Sequence, residues 1–239
     1  MKWAKRIGAG LVLVMVLSTV GFVGWTQVNR YAAAPAAVVT MPAAQPNGWL
    51  VFEPEQPAER GFIFYPGGLV DAQAYAPLAK QLADRGVLTV IVPMPLDLAI
   101  LNPNEANGVL DQFPQVRQWA IGGHSLGGAM AAQFLAANPQ LADRVSGLVL
   151  WGARSQADLS ELPVKVVSIF GTRDGIAPKD ITNAMRLAGL PAGAKLVPVE
   201  GGNHSMFGDY GLQRGDNLLT IPLDQARNQI VDATMSVFN

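Results

Sequence analysis

Apolar positions along the chain fall into short runs separated by longer segments of mixed character. Residues 49–52, 61–65, 87–92, 116–121, 145–151, 164–170 and 194–199 are largely apolar, and Gly, Pro or charged residues bound them. Runs this short cannot make useful helices, and they predict strands buried on both faces. Between them the pattern shifts to a helical period. Residues 72–85 place Tyr75, Leu78, Ala79 and Leu82 on one face, and further helices are expected at 102–110, 126–137, 179–187 and 223–238. Strands alternating with helices at this spacing predict an α/β fold with a mostly parallel sheet flanked by helices. In such sheets functional groups collect beyond the carboxyl ends of the strands.

The amino-terminal segment has a different pattern. Residues 7–28 contain no charge, and Lys2, Lys5 and Arg6 precede them. As a helix this run would reach ~33 Å, enough to cross a hydrocarbon layer of roughly 30 Å. The expectation is one transmembrane helix within an anchor over 1–29, with Trp25 and Tyr31 at its far interface. A signal peptide cut near Ala32-Ala33-Ala34 is the alternative, although its apolar core would be longer than usual. With Arg30 as the first charge after the run, the basic residues predict a cytoplasmic amino terminus. The rest would then be extracytoplasmic, either membrane-held or secreted. Residues 30–48, rich in Ala and Pro, read as a tether, and residues 49–239 read as the main domain.

The net charge of −1 and the lack of basic runs exclude nucleic acid as a main partner. There is no cysteine and there are only two histidines, His124 and His204, so no metal site and no cofactor are expected. Gly123-His124-Ser125-Leu126-Gly127 follows an apolar strand and precedes an Ala-rich helix. That is the setting for a serine held on a sharp strand-to-helix turn. A serine hydroxyl needs a base, and the base needs an orienting acid. His124 adjoins Ser125 on the turn and should point away from it, which leaves His204 in the loop Gly201-Gly202-Asn203-His204. Asp174, after the strand at 164–170, is the carboxylate placed to reach the far nitrogen of His204. The Leu126 N–H is expected to stabilise an oxyanion, together with Gly68 or else Leu69 in the loop Tyr65-Pro66-Gly67-Gly68-Leu69. Met94, Leu96, Trp151, Met206 and Phe207 follow strands and are expected to line the pocket.

With the order Ser125, Asp174, His204 on a parallel sheet, residues 49–238 resemble the α/β-hydrolase superfamily. The Gly-His-Ser-Leu-Gly-Gly turn, Gly-Thr-Arg-Asp before Ala-Pro, Gly-Gly-Asn-His and Pro-Gly-Gly carry the resemblance. Pro66 departs from the histidine that many members carry there. Only 12 residues separate 151 from 164, so no lid domain is inserted, and the front of the sheet is abbreviated. The resemblance implies hydrolysis of a small-molecule carboxylic ester through an acyl-enzyme, in a shallow lidless cleft. An acyltransferase or peptidase using the same nucleophile is the alternative within enzymes. An inactive membrane-tethered binding module is the alternative outside them.

Overall fold

The computed structural model describes residues 2–42 and 45–239, without the side chains of residues 2–10 and 12. It divides into two units, residues 1–30 and 31–239. The first is helix α1, Lys2–Val28. The apolar side chains of Leu13, Val14, Met15, Val16, Leu17, Val20, Phe22 and Trp25 are all exposed along it. Among the described residues, no helix is long and apolar enough to cross a membrane. The side chains of Lys2, Lys5 and Arg6, on which the expected orientation rests, lie outside the described residues.

The larger unit is built on seven strands: β1 Leu50–Phe52, β2 Arg60–Tyr65, β3 Val87–Ile91, β4 Gln118–His124, β5 Val145–Trp151, β6 Lys165–Gly171 and β7 Lys195–Val199. Their order across the sheet is β1-β3-β2-β4-β5-β6-β7. β1 runs antiparallel to β3, and every other pairing is parallel. The first of the remaining helices is the short α2, Pro35–Val38. It is followed by α3 Ala76–Asp84, α4 Ala106–Gln112, α5 Leu126–Ala137, α6 Asn183–Leu187 and α7 Leu223–Met235.

Successive residues of a strand face opposite sides, so each strand feeds two cores. Phe62 and Phe64 of β2 join Val149 and Trp151 beneath α3 and α7. Ile63 and Tyr65 join Trp119, Ile121 and Leu150 on the other face, beneath α4 and α5. Burial of both faces is why these strands read as continuous apolar runs and not as alternation.

Three helices differ from expectation. The segment at 72–85 opens as a 3₁₀ turn over Ala72–Tyr75 before α3 begins. The helix expected at 102–110 is shifted to Ala106–Gln112, because Tyr65 Oη donates to the Pro103 carbonyl and accepts from the Ala106 N–H, fixing where α4 starts. The helix expected at 179–187 shrinks to Asn183–Leu187. Upstream, Asp174 Oδ1 accepts from the N–H groups of Ile176 and Ala177 and holds a turn. The Thr182 hydroxyl then caps the Met185 N–H from an extended backbone, so helix cannot begin earlier.

The Ala/Pro-rich stretch expected as a tether makes ordered contacts over its first part. Tyr31 bridges Val70, the Ala34 N–H donates to the Asp209 carbonyl, and Ala37 is fully buried. Residues 43 and 44 of that stretch lie outside the described residues.

Candidate active site

Ser125 stands between β4 and α5 with φ +51° and ψ −117°, a conformation that costs a non-glycine residue of order 1–3 kcal/mol. Close packing holds it there. The Ser125 N–H donates to the Trp151 carbonyl at the end of β5. A Cβ on Gly127 would lie 2.1 Å from the Tyr65 carbonyl oxygen, so α5 can start this close to β2 only on glycine.

His204 follows β7 in a short 3₁₀ turn. Its Nδ1 donates to Asp174 Oδ2 at 2.8 Å, and both side chains are almost wholly buried. Its Nε2 is shielded and has no hydrogen-bond partner among the described residues. Burial raises the Asp174 pKa, but the His204 hydrogen bond and charge and the Ala177 and Ile176 N–H groups outweigh it. The carboxyl is held below its ordinary range. Ser125 and His204 line one open cleft of about 230 Å³, with Leu126 beside them.

The two expected oxyanion donors from the glycine loop fare differently. The Leu69 N–H is already given to the Asp97 carbonyl at 2.8 Å, which removes Leu69 as a donor. Leu69, Leu96 and Asp97 all take positive φ, so two left-handed turns lock onto each other through that bond. Gly68 lies against Leu126, and a Cβ there would come within 3.2 Å of the Leu126 side chain. The Gly67 N–H is committed to Tyr75 Oη at 2.9 Å.

The five expected lining residues are not in the wall of this cleft. Met94, Trp151, Met206 and Phe207 are buried in the two cores, and Trp151 Nε1 donates to Thr234 Oγ1. Leu96 is half-buried in its left-handed turn. Following a strand was a poor guide because an apolar side chain there can turn inward and extend the core. The wall is formed instead by Gly152–Arg154 and Gln156 after β5, by Ile176–Pro178 and Ile181 after β6, and by Arg186 of α6.

Three groups escaped the sequence reading. Tyr75 joins the glycine loop to the serine turn. Its Oη accepts from Gly67 and lies 2.9 Å from His124 Nδ1. Burial pushes its pKa well up, so it stays a phenol. His124 is neutral as well. Burial, reinforced by His204, lowers its pKa well below the ordinary value, and the His204 backbone offsets only part of this. The His124 and His204 rings lie 4.6 Å apart.

Asp216 is the second. Its Oδ1 accepts from the N–H groups of Gly175, His204 and Asn217, and its Oδ2 accepts from the N–H and hydroxyl of Ser205. One carboxylate thus ties the Asp174 loop to the His204 loop. In sequence, Gly215-Asp216-Asn217 reads only as a turn, and no local signal marks it. Arg154 and Arg186 form the third group, and neither carries a motif.

A model of the alpha/beta hydrolase family matches residues 61–228. No curated protein matches the chain significantly. Among solved structures, an esterase from the planctomycete Thermogutta terrifontis is 18% identical with a TM-score of 0.52, over 80% of this chain and 87% of that one. A ferulic-acid-bound protein of Butyrivibrio proteoclasticus is 13% identical with a TM-score of 0.57, over 80% and 94%. A ferulic acid esterase from Streptomyces cinnamoneus is 19% identical with a TM-score of 0.58, over 77% and 67%. At these identities the likeness is one of fold.

Proposed function

The chain belongs to the alpha/beta hydrolase family, and from that premise we propose that it hydrolyses carboxylic esters with Ser125 as nucleophile, His204 as base and Asp174 as orienting acid. One observation carries the reading. His204 gives Nδ1 to a buried carboxylate, keeps Nε2 without a partner among the described residues, and shares a cleft with a serine in a strained turn. Esterases among the structures of similar fold point the same way.

In this mechanism Ser125 Oγ attacks the ester carbonyl carbon as His204 Nε2 takes the hydroxyl proton. The Leu126 and Gly68 N–H groups receive the oxyanion. Collapse expels the alkoxide, which leaves as the alcohol with the proton from His204. Water, deprotonated by the same nitrogen, then attacks the acyl-serine and releases the acid. Asp174 remains ionised throughout and holds the imidazolium, as its lowered pKa requires.

A fluorophosphonate probe should label the full chain, and Ser125→Ala should lose both labelling and 4-nitrophenyl acetate turnover while keeping its circular dichroism. Labelling that persists in Ser125→Ala would reject this nucleophile.

The same proposal includes an extracytoplasmic domain held to a membrane by its amino-terminal helix. The uncharged run 7–28 supports it, as does the apolar surface that α1 exposes along its length. A run of large apolar side chains left exposed on one helix calls for apolar surroundings.

A further inference from the structure

The cleft holding Ser125 has an unusual charge balance. Its wall contains two guanidinium groups, Arg154 and Arg186, and no carboxylate, in a chain of net charge −1. Arg186 is only 7% exposed, and its guanidinium carbon lies over the Phe170 ring, 3.8 Å from the centroid. Among the described residues neither arginine forms an ion pair or donates a side-chain hydrogen bond to the protein. Asp174 is the carboxylate that acts on Arg186 through space. Its oxygens are already taken by His204 Nδ1 and by the Ile176 and Ala177 N–H groups.

A buried charge without a partner is costly, and proteins normally supply one. Here the fold supplies an aromatic floor under the guanidinium and leaves its donors uncommitted beside the cleft. A guanidinium placed in this way matches a carboxylate through two parallel hydrogen bonds. Arg154 adds a second positive charge on the same wall, and Gln156 a further polar group. Ile176, Pro178 and Ile181 complete the wall as an apolar surface for a short spacer.

Resting on the ester-hydrolase reading above, we propose that the preferred substrates are esters bearing a free carboxylate, which Arg186 and Arg154 bind while Ser125 attacks the ester carbonyl. The carboxylate can sit on the acyl or the alcohol portion, and two substrate pairs separate these cases. 4-Nitrophenyl hemiglutarate is compared with 4-nitrophenyl valerate, and 4-acetoxybenzoate with phenyl acetate. In at least one pair the anionic ester should have the higher kcat/KM, by about tenfold or more for a charge-assisted pair. Arg186→Met and Arg154→Met should each shrink that ratio, and because it is a ratio any loss common to both esters cancels. Arg186→Lys, which keeps the charge and loses the fork, should fall between and guards against misfolding of the methionine variant.

Calorimetry with glutarate needs no turnover and reads the same subsite. Binding to the full chain should weaken about tenfold in Arg186→Met. Serine-dependent hydrolysis with both ratios near one, or a ratio unchanged in Arg186→Met, overturns the inference and leaves the hydrolase reading standing. No turnover of any ester and no labelling of Ser125 overturns the hydrolase reading. Glutarate binding that Arg186→Met abolishes would then still support an anion subsite, and absent binding would reject it.

Discussion

His124 sits next to the proposed nucleophile, yet its ring is spent on holding the turn. Its neutral form is the one the fold accepts, with Nδ1 hydrogen-bonded to Tyr75 Oη. That fixes a pH dependence. In the unfolded chain a histidine protonates near about pH 6.5, whereas folded His124 stays neutral far below it. As pH falls below that point the unfolded state binds a proton that the folded state does not. Stability then drops by about 1.4 kcal/mol per pH unit until the folded value is reached. Urea unfolding free energies should fall by about 2 kcal/mol between pH 7 and 5 as this slope is approached, and His124→Gln should flatten the fall. Asp174 acts lower down. Its folded pKa is depressed, so its contribution is complete above the ordinary carboxylate range and is lost as pH falls through the folded value. Tyr75→Phe strands the Gly67 N–H and His124 Nδ1 together, and should lower stability by about 1–3 kcal/mol for each group left unpaired. That His124 is confined to the serine turn was legible, because adjacency to Ser125 is a local constraint. The partner that occupies His124 lies 49 residues away, and no local pattern announces it.

The loops after β6 and β7 behave as one element because Asp216 binds both. Asp216→Ala removes five hydrogen bonds from the N–H groups of Gly175, His204, Ser205 and Asn217 and from the Ser205 hydroxyl. The expected result is a lower kcat with KM changed less, because Asp216 orients His204 and Asp174 without entering the cleft wall. Unfolding should also be easier by about 2–4 kcal/mol, since hydrogen bonds to a charged group are worth ~1.5–3 kcal/mol each and the freed N–H groups partly rehydrate. Steady-state kinetics beside thermal melts separates the two effects. At the start of α5, Gly127→Ala drives a methyl into the Tyr65 carbonyl. Backbone must move to admit it, so the variant should lose at least about 1–3 kcal/mol and its probe labelling together.

At the scale of the molecule, the division at residue 30 predicts how the chain tolerates truncation. Residues 31–239 should unfold cooperatively, with a melting temperature close to that of the full chain. A further cut through residue 42 removes Tyr31 and the buried Ala37 and uncovers Val70, the 3₁₀ turn at Ala72–Tyr75 and α3, on which they pack. That cut should lower the melting point by several degrees, about 2–4 °C per kcal/mol for a unit of this size. Flotation with phosphatidylcholine vesicles tests the proposed anchor: the full chain should rise with the lipid and residues 31–239 should not.

The strands, the parallel order and the serine turn were determined by the sequence itself. Burial on both faces forces continuous apolar runs, and a tight turn forces small residues, so each leaves a local mark. The placement of Asp174 after one strand and His204 after the next was readable for the same reason, because strand ends set position along the sheet. The loss of Leu69 to a backbone bond, the inward turn of Trp151 and Phe207, and the late start of α6 were decided only in three dimensions. So were the Asp216 tie and the two arginines of the cleft. Each depends on which groups meet across distant loops, where hydrogen-bond commitments and side-chain direction have no counterpart in sequence spacing.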